Sequence, residues 1–149
     1  IPALKKYLNK IAQVHGARHP ELLDVRDSFH EASDTLSSHL EDEENILFPH
    51  IRQMVQAKKE GRTLEAPDFE TVEKPIRQML EEHENEGERF DWLSEKTNDF
   101  KVPEDGCNTY RITYNHLKEF KKDLHKHIHL ENNILFPQAK RLEQEVIKK

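Results

Sequence analysis

The chain has 149 residues, of which 35% are charged and only four are glycine, with a formal charge of -6 and a mean hydropathy of -0.95. That length suits one domain burying about two-thirds of its unfolded surface, and the acidic balance argues against nonspecific nucleic-acid binding. No apolar run is long enough to span a bilayer and no secretory leader is legible. Cys107 is the single cysteine, so no internal disulfide is expected and a reducing, cytoplasmic setting fits.

Taken in order, Leu4, Leu8 and Ile11 recur at helical spacing, and the pattern stops near His15 and Gly16. Ile1-Pro2 leads straight into that periodicity, so the first helix is expected to begin upstream of this sequence. A second helix is expected from about Pro20 to Lys58, with Gly61 and Pro67 in the loop after it. A third is expected from about Phe69 to Asn98. Pro103, Glu104, Asp105 and Gly106 read as a turn, and a fourth helix is expected from Asn108 or Thr109 to about Ile147. Pro49 and Pro137 each remove an i→i−4 hydrogen bond and are expected to kink or end their helices. With no strand-like alternation, the fold class is all-α: an antiparallel up-and-down four-helix bundle with a truncated first helix, a single domain over residues 1–149.

The apolar stripes carry an anomaly. In the second helix Val25, Phe29, Ala32, Leu36, His39, Glu43, Ile46 and His50 advance by alternating steps of 4 and 3, which traces one inward face. The third helix repeats the rhythm with Val72, Ile76, Met79, His83, Glu86 (or Gly87) and Phe90. The fourth does so with Leu117, Phe120, Leu124, His127, Glu131, Ile134 and Gln138. Three helices thus aim ionisable groups at one level of one core. Moreover HLEDEENILFP at 39–49 and HIHLENNILFP at 127–137 agree at seven of eleven positions, including the His, the Glu four places on and the closing Ile-Leu-Phe-Pro.

An unpartnered buried carboxylate costs several kcal/mol, so two of them need compensation. Four residues along a helix turn about 400° and rise about 6 Å. His-x-x-x-Glu therefore sets imidazole beside carboxylate, able to touch one ion or bridge two. A bound cation offsets the desolvation and keeps the imidazoles neutral. Mixed imidazole and carboxylate ligands suit iron, zinc or manganese, and two bridging-capable carboxylates argue for two ions. A single His at a core position, or a single His-x-x-x-Glu on a charged helix, is usually an ordinary core or surface pair. Two in-stripe copies plus a third in-stripe His favour metal. His125 and His129 point off that face and read as a solvated pair, Glu44 reads as exposed, and Tyr110 and Tyr114 read as core. Gly87 either leaves room beside the metals or allows close packing. No general base or substrate-sized pocket is legible, so no catalytic residue is assigned.

At these residues the chain resembles the hemerythrin-like family, and more narrowly its branch of bacterial di-iron proteins for repair of iron centres damaged by nitrosative and oxidative stress. The resemblance runs from IPAL through VHGARHPEL at 14–22, SSHLEDEENILFP at 37–49, EEHENEGE at 81–88 and the Cys107 turn to HIHLENNILFP. It implies a carboxylate-bridged pair of non-haem irons, with His39, His83 and His127 as terminal ligands and Glu43 and Glu131 as bridges. It also implies a further His from the first helix upstream of Ile1 and a small cysteine-bearing N-terminal domain, neither present in this sequence. His15 and His19 are the nearby candidates to fill the gap, though the helix end places them at the rim. The implied function is repair of iron–sulfur clusters through reaction with nitric oxide or peroxide, or by iron donation, with damaged iron–sulfur proteins as partners. A reversible oxygen carrier or sensor of the hemerythrin type is the alternative. An interaction module with a polar core network is a third, requiring every buried His and Glu to find a protein partner.

Overall fold

The structure, a computed structural model, describes residues 2–67 and 69–147; Ile1, where the expected first helix enters, lies outside the described residues. The fold is all-α, and the described residues contain no strand beyond one isolated bridge between Leu64 and Ile147. Four long helical stretches follow the expected order. The first is α1 (Pro2–His15). The second is α2 (Glu21–Asp42) continued by α3 (Phe48–Glu60), the third is α4 (Glu73–Lys96), and the fourth is α5 (Asn108–Leu130) continued by α6 (Phe136–Val146). The third helix starts a turn later than expected because residues 69–72 form a bend that the fourth stretch secures. Thr71 Oγ1 and the Val72 N–H both donate to the Glu143 carboxylate, at 2.5 and 2.6 Å.

The prolines neither end nor break their helices. Between α2 and α3, residues Glu43–Leu47 form a π-helical turn in which Phe48 N–H donates to the Glu43 carbonyl. Residues Glu131–Leu135 do the same between α5 and α6, with Phe136 N–H donating to the Glu131 carbonyl. A proline at 49 or 137 has no N–H for the carbonyl four residues back, and its ring collides with that carbonyl in an α-turn. Widening the turn to i→i+5 removes the collision without stopping the helix.

This extra residue changes the register. Ile46 and Ile134, expected inside, are 45% and 47% exposed, and Gln138 is exposed. Leu47 and Phe136 take the inward places, at 0% and 1%. Before the π turns the stripes hold, with Leu36 and Phe120 only half-buried. Val25, Phe29, Ala32, His39 and Glu43 are buried, as are Val72, Ile76, Met79, His83, Glu86 and Phe90.

The chain forms two compact units. One comprises residues 1–36 and 85–126, the other 37–84 and 127–149. The first is built on aromatic packing: the rings of Phe29, Phe90 and Phe120 meet with centroids 5.4–6.4 Å apart. Tyr110 and Tyr114 stack edge to face at 4.8 Å. Its α4–α5 loop makes three successive left-handed residues, Asn98, Asp99 and Phe100, held by Phe100 N–H donating to Thr97 Oγ1 at 2.9 Å. Gly106 is needed there, since a Cβ at that position would lie 2.6 Å from Val102 Cγ1. The second unit packs α3 against α6 around Leu47, Met54, Ala57, Val72, Ile76, Met79, Phe136, Ala139 and Val146. Gly61, at φ 67°, closes α3 with Arg62 N–H reaching back to the Ala57 carbonyl at 2.8 Å.

Candidate metal centre

All five sequence-chosen residues fall in the second unit, on three helical stretches. His39 lies in the last turn of α2 and His127 in the last turn of α5. Glu43 and Glu131 are the first residues of the two π turns, and His83 lies mid-α4. One ligand-capable atom from each of His39, Glu43, His127 and Glu131 lies within 4.8 Å of all the others. His83 stands outside that foursome, yet its Nε2 is 3.2 Å from Glu131 Oε1. Glu131 Oε1 is the hub: His127 Nε2 approaches it at 2.6 Å and His39 Nε2 at 3.9 Å. Glu43 is 2.8 Å from His39 Nε2 through Oε1 and 3.9 Å from His127 Nε2 through Oε2.

Burial is deep and uneven. The side chains of His39, Glu43, His83 and Glu131 are 1–5% exposed, whereas that of His127 is 44% exposed. His127 therefore reaches the surface with part of its ring, while its Nε2 stays buried.

Protons alone do not satisfy this cluster. Glu43 Oε2, His83 Nε2, His127 Nε2 and both carboxylate oxygens of Glu131 are buried without a well-directed hydrogen bond. These are electron-pair donors crowded at one point, which a cation satisfies together and hydrogen bonds do not. The protonation pattern shows the same strain. Burial opposes charge on His39, but the neighbouring Glu131 carboxylate and the hydrogen bonds to Glu43 and Glu82 outweigh that and push the imidazole up to about 10. Burial lifts the Glu43 carboxyl above the usual carboxylate range, with Glu131 adding to the rise and His39 opposing it. Glu131 is desolvated as well, yet the imidazoles of His127, His39 and His83 crowded around it hold it well below that range. His127 is raised by the Glu131 carboxylate beside it, against burial. Two buried carboxylates share the cost of one negative site by drawing positive charge inward, the service a bound metal performs.

Two contacts escape the stripe pattern. His39 Nδ1–H donates to Glu82 Oε2 at 2.5 Å, and His83 Nδ1–H donates to Asn132 Oδ1 at 2.8 Å. Each partner sits one residue from a stripe position, about 100° off the inward face, where a charged or amide residue reads as surface. A faint signal exists in the repeat: Asn132 occupies the place held by Glu44 in the first copy, and Glu44 is exposed as expected.

The remaining histidines take other roles. His19 binds the Asp105 carboxylate through Nε2 at 2.9 and 3.1 Å, and His15 packs edge-on against Tyr110; neither joins the cluster. His125 and His129 are exposed, and His129 Nδ1 pairs with the Asn133 side chain rather than with His125. His50 is buried edge-on against Phe69. A Cβ at Gly87 would meet nothing within 4 Å, so close helix packing does not account for that glycine.

An all-helical fold gathering imidazoles and carboxylates onto one buried point defines a helical cation-binding protein. Residues 1–139 match the Hemerythrin HHE cation binding domain, and the chain belongs to that family. The chain is similar to the iron-sulfur cluster repair protein ScdA of Staphylococcus epidermidis, 30% identical over 133 residues, covering 89% of this chain and 55% of that protein. It is likewise similar to the iron-sulfur cluster repair protein YtfE of Dickeya chrysanthemi, 34% identical over 141 residues, covering 95% of this chain and 58% of that protein. The chain thus spans a little over half the length of these relatives. No helix among the described residues is long and apolar enough to cross a membrane.

Proposed function

We propose that this chain is the di-iron part of an iron–sulfur cluster repair protein, with His39, Glu43, His83, His127 and Glu131 holding two non-haem irons. The observation that carries this reading is the knot of buried lone-pair donors around Glu131 Oε1. The names and similarity of the ScdA and YtfE relatives support repair as the purpose. Two carboxylates on facing π turns suit a bridged pair, and imidazole with carboxylate suits iron over a thiolate-loving ion. When bound, ferrous iron supplies affinity for nitric oxide, dioxygen or peroxide and a store of metal for rebuilding a damaged cluster.

The chain's own residues do the rest. Glu43 and Glu131 supply the negative charge that draws cations into a buried site. His39 and His83, both nearly inaccessible, set the inner boundary. His127, whose side chain is the most exposed of the five, is the arm of the site nearest solvent. Damaged iron–sulfur proteins are the proposed partners.

Anaerobic loading with ferrous iron, followed by metal analysis and by recovery of a nitric oxide-damaged iron–sulfur enzyme, tests both halves of the proposal. About two irons per chain and a faster recovery with loaded than with metal-free protein are expected. Far less than one iron per chain, with Glu43→Ala leaving thermal stability unchanged, would sink the metal reading. Reversible dioxygen binding without oxidation, and no effect on enzyme recovery, would replace repair by oxygen carriage.

A further inference from the structure

The imidazoles of the candidate centre are held from behind by unlike groups. His39 is backed by a carboxylate, Glu82, itself steadied by Gln78, whose Nε2 donates to Glu82 Oε1 at 3.3 Å. His83 is backed by the amide oxygen of Asn132. In both rings the Nδ1–H is committed outward, so Nε2 is the nitrogen left facing the Glu43 and Glu131 carboxylates. A hydrogen bond at Nδ1 fixes the tautomer and the ring plane, and an anionic acceptor also strengthens the ring as a donor to a cation. A neutral amide gives the orientation without the charge.

We propose that Glu82 and Asn132 are positioning residues for His39 and His83, and that their difference in charge grades the site into a strong imidazole donor and a weak one. The inference rests on the metal-centre reading above. Glu82 is 25% exposed, so solvent screens part of its charge but leaves the hydrogen bond at the ring intact. Asn132 owes its place to the second π turn, of which it is the second residue. The equivalent residue of the first π turn, Glu44, is spent on solvent. A site with one weakly held arm retains iron at rest and yields it to a competing acceptor, which is what donation to a damaged cluster requires.

The test is a charge exchange read by metal retention. The full chain is loaded anaerobically with Fe²⁺, and separately with Co²⁺ for its visible absorption, and then titrated with a chelator. Glu82→Gln keeps a hydrogen-bond acceptor and removes the charge; it is expected to weaken retention about 10–100-fold, with Glu82→Asp restoring most of it. Asn132→Asp supplies the missing charge behind His83 and is expected to tighten retention and shift the Co²⁺ absorption. Glu81→Gln and Asn133→Asp make the same charge changes one residue away, at exposed positions, and are expected to leave retention as in the parent. A purely packing role predicts that Glu82→Gln and Asn132→Asp both loosen the metal, and that result overturns the inference. So does a Glu82→Gln chain that retains metal like the parent. If the parent itself holds no metal, the centre falls and the inference falls with it. Thermal unfolding of each metal-free variant identifies any that fails to fold, and Glu82→Asp and Asn132→Asp keep the question answerable in that event.

Discussion

The two compact units of this chain draw on the same helices and the same 3–4 spacing, yet they bury opposite chemistries. In one, the stripes deliver Phe29, Phe90 and Phe120 to a ring cluster. In the other, the stripes deliver His39, Glu43, His83 and Glu131. The first gains stability chiefly from removing apolar surface from water, and its buried carboxylate, Glu86, has Arg89 beside it. The second has an apolar core of its own, but at the His and Glu cluster it pays for desolvated charge, recovered through protons or a cation. Periodicity alone says which residues face inward; residue type says whether the inside is a core or a site.

Cutting into the apolar unit should give the largest change in stability. Phe29→Ala is expected to cost about 3–5 kcal/mol by urea unfolding, by the same amount with or without ferrous iron. If that cost depended on metal, the two regions would not be energetically separate.

The polar unit should respond to pH instead. In the metal-free protein His39 is raised from 6.5 to about 10. Its contribution is therefore fully present below about 6.5 and is lost as pH rises toward 10. The raised Glu43 acts in the same direction at lower pH, and the depressed Glu131 contributes stability that is lost as pH falls below the normal carboxylate range. Metal-free stability is thus expected to decline on the alkaline side, and His39→Gln to flatten that decline. Phe29→Ala should keep the parent slope. Metal affinity should rise over the same interval, because the His39 proton must leave before a cation enters.

The smallest effect separates two of the glycines of the apolar unit, Gly87 and Gly106. Gly87→Ala is expected to stabilise by up to about 1 kcal/mol, since the methyl meets open space and Ala is the better helix former. Gly106→Ala should destabilise, its Cβ colliding with Val102. Thermal unfolding of the pair checks both signs. If Gly87→Ala leaves stability unchanged or lower, helix propensity does not govern that position.

Much of this was legible in the sequence. The stripe through Val25, Phe29, Ala32, His39 and Glu43 was readable because an unbroken α-helix keeps its face for as long as every turn is alike. It failed at Ile46, Ile134 and Gln138, where one inserted residue rotates the register. Pro49 and Pro137 advertised a disturbance, but a missing N–H is compatible with a kink, an end or a wider turn, and only the fold selects among these. Glu82 and Asn132 were illegible for another reason. Their partners belong to other helical stretches, and nothing in local spacing says that an off-stripe carboxylate will reach an imidazole 43 residues away.

The central claim is that the His and Glu stripes close on a metal. Its most direct measurement is anaerobic titration of the chain with ferrous iron, following bound metal and thermal unfolding together, beside Glu131→Ala. The account predicts about two irons per chain, a rise in Tm that saturates with them, and loss of both in the variant. Less than one iron per chain, with a Tm indifferent to iron and to Glu131→Ala alike, would contradict it.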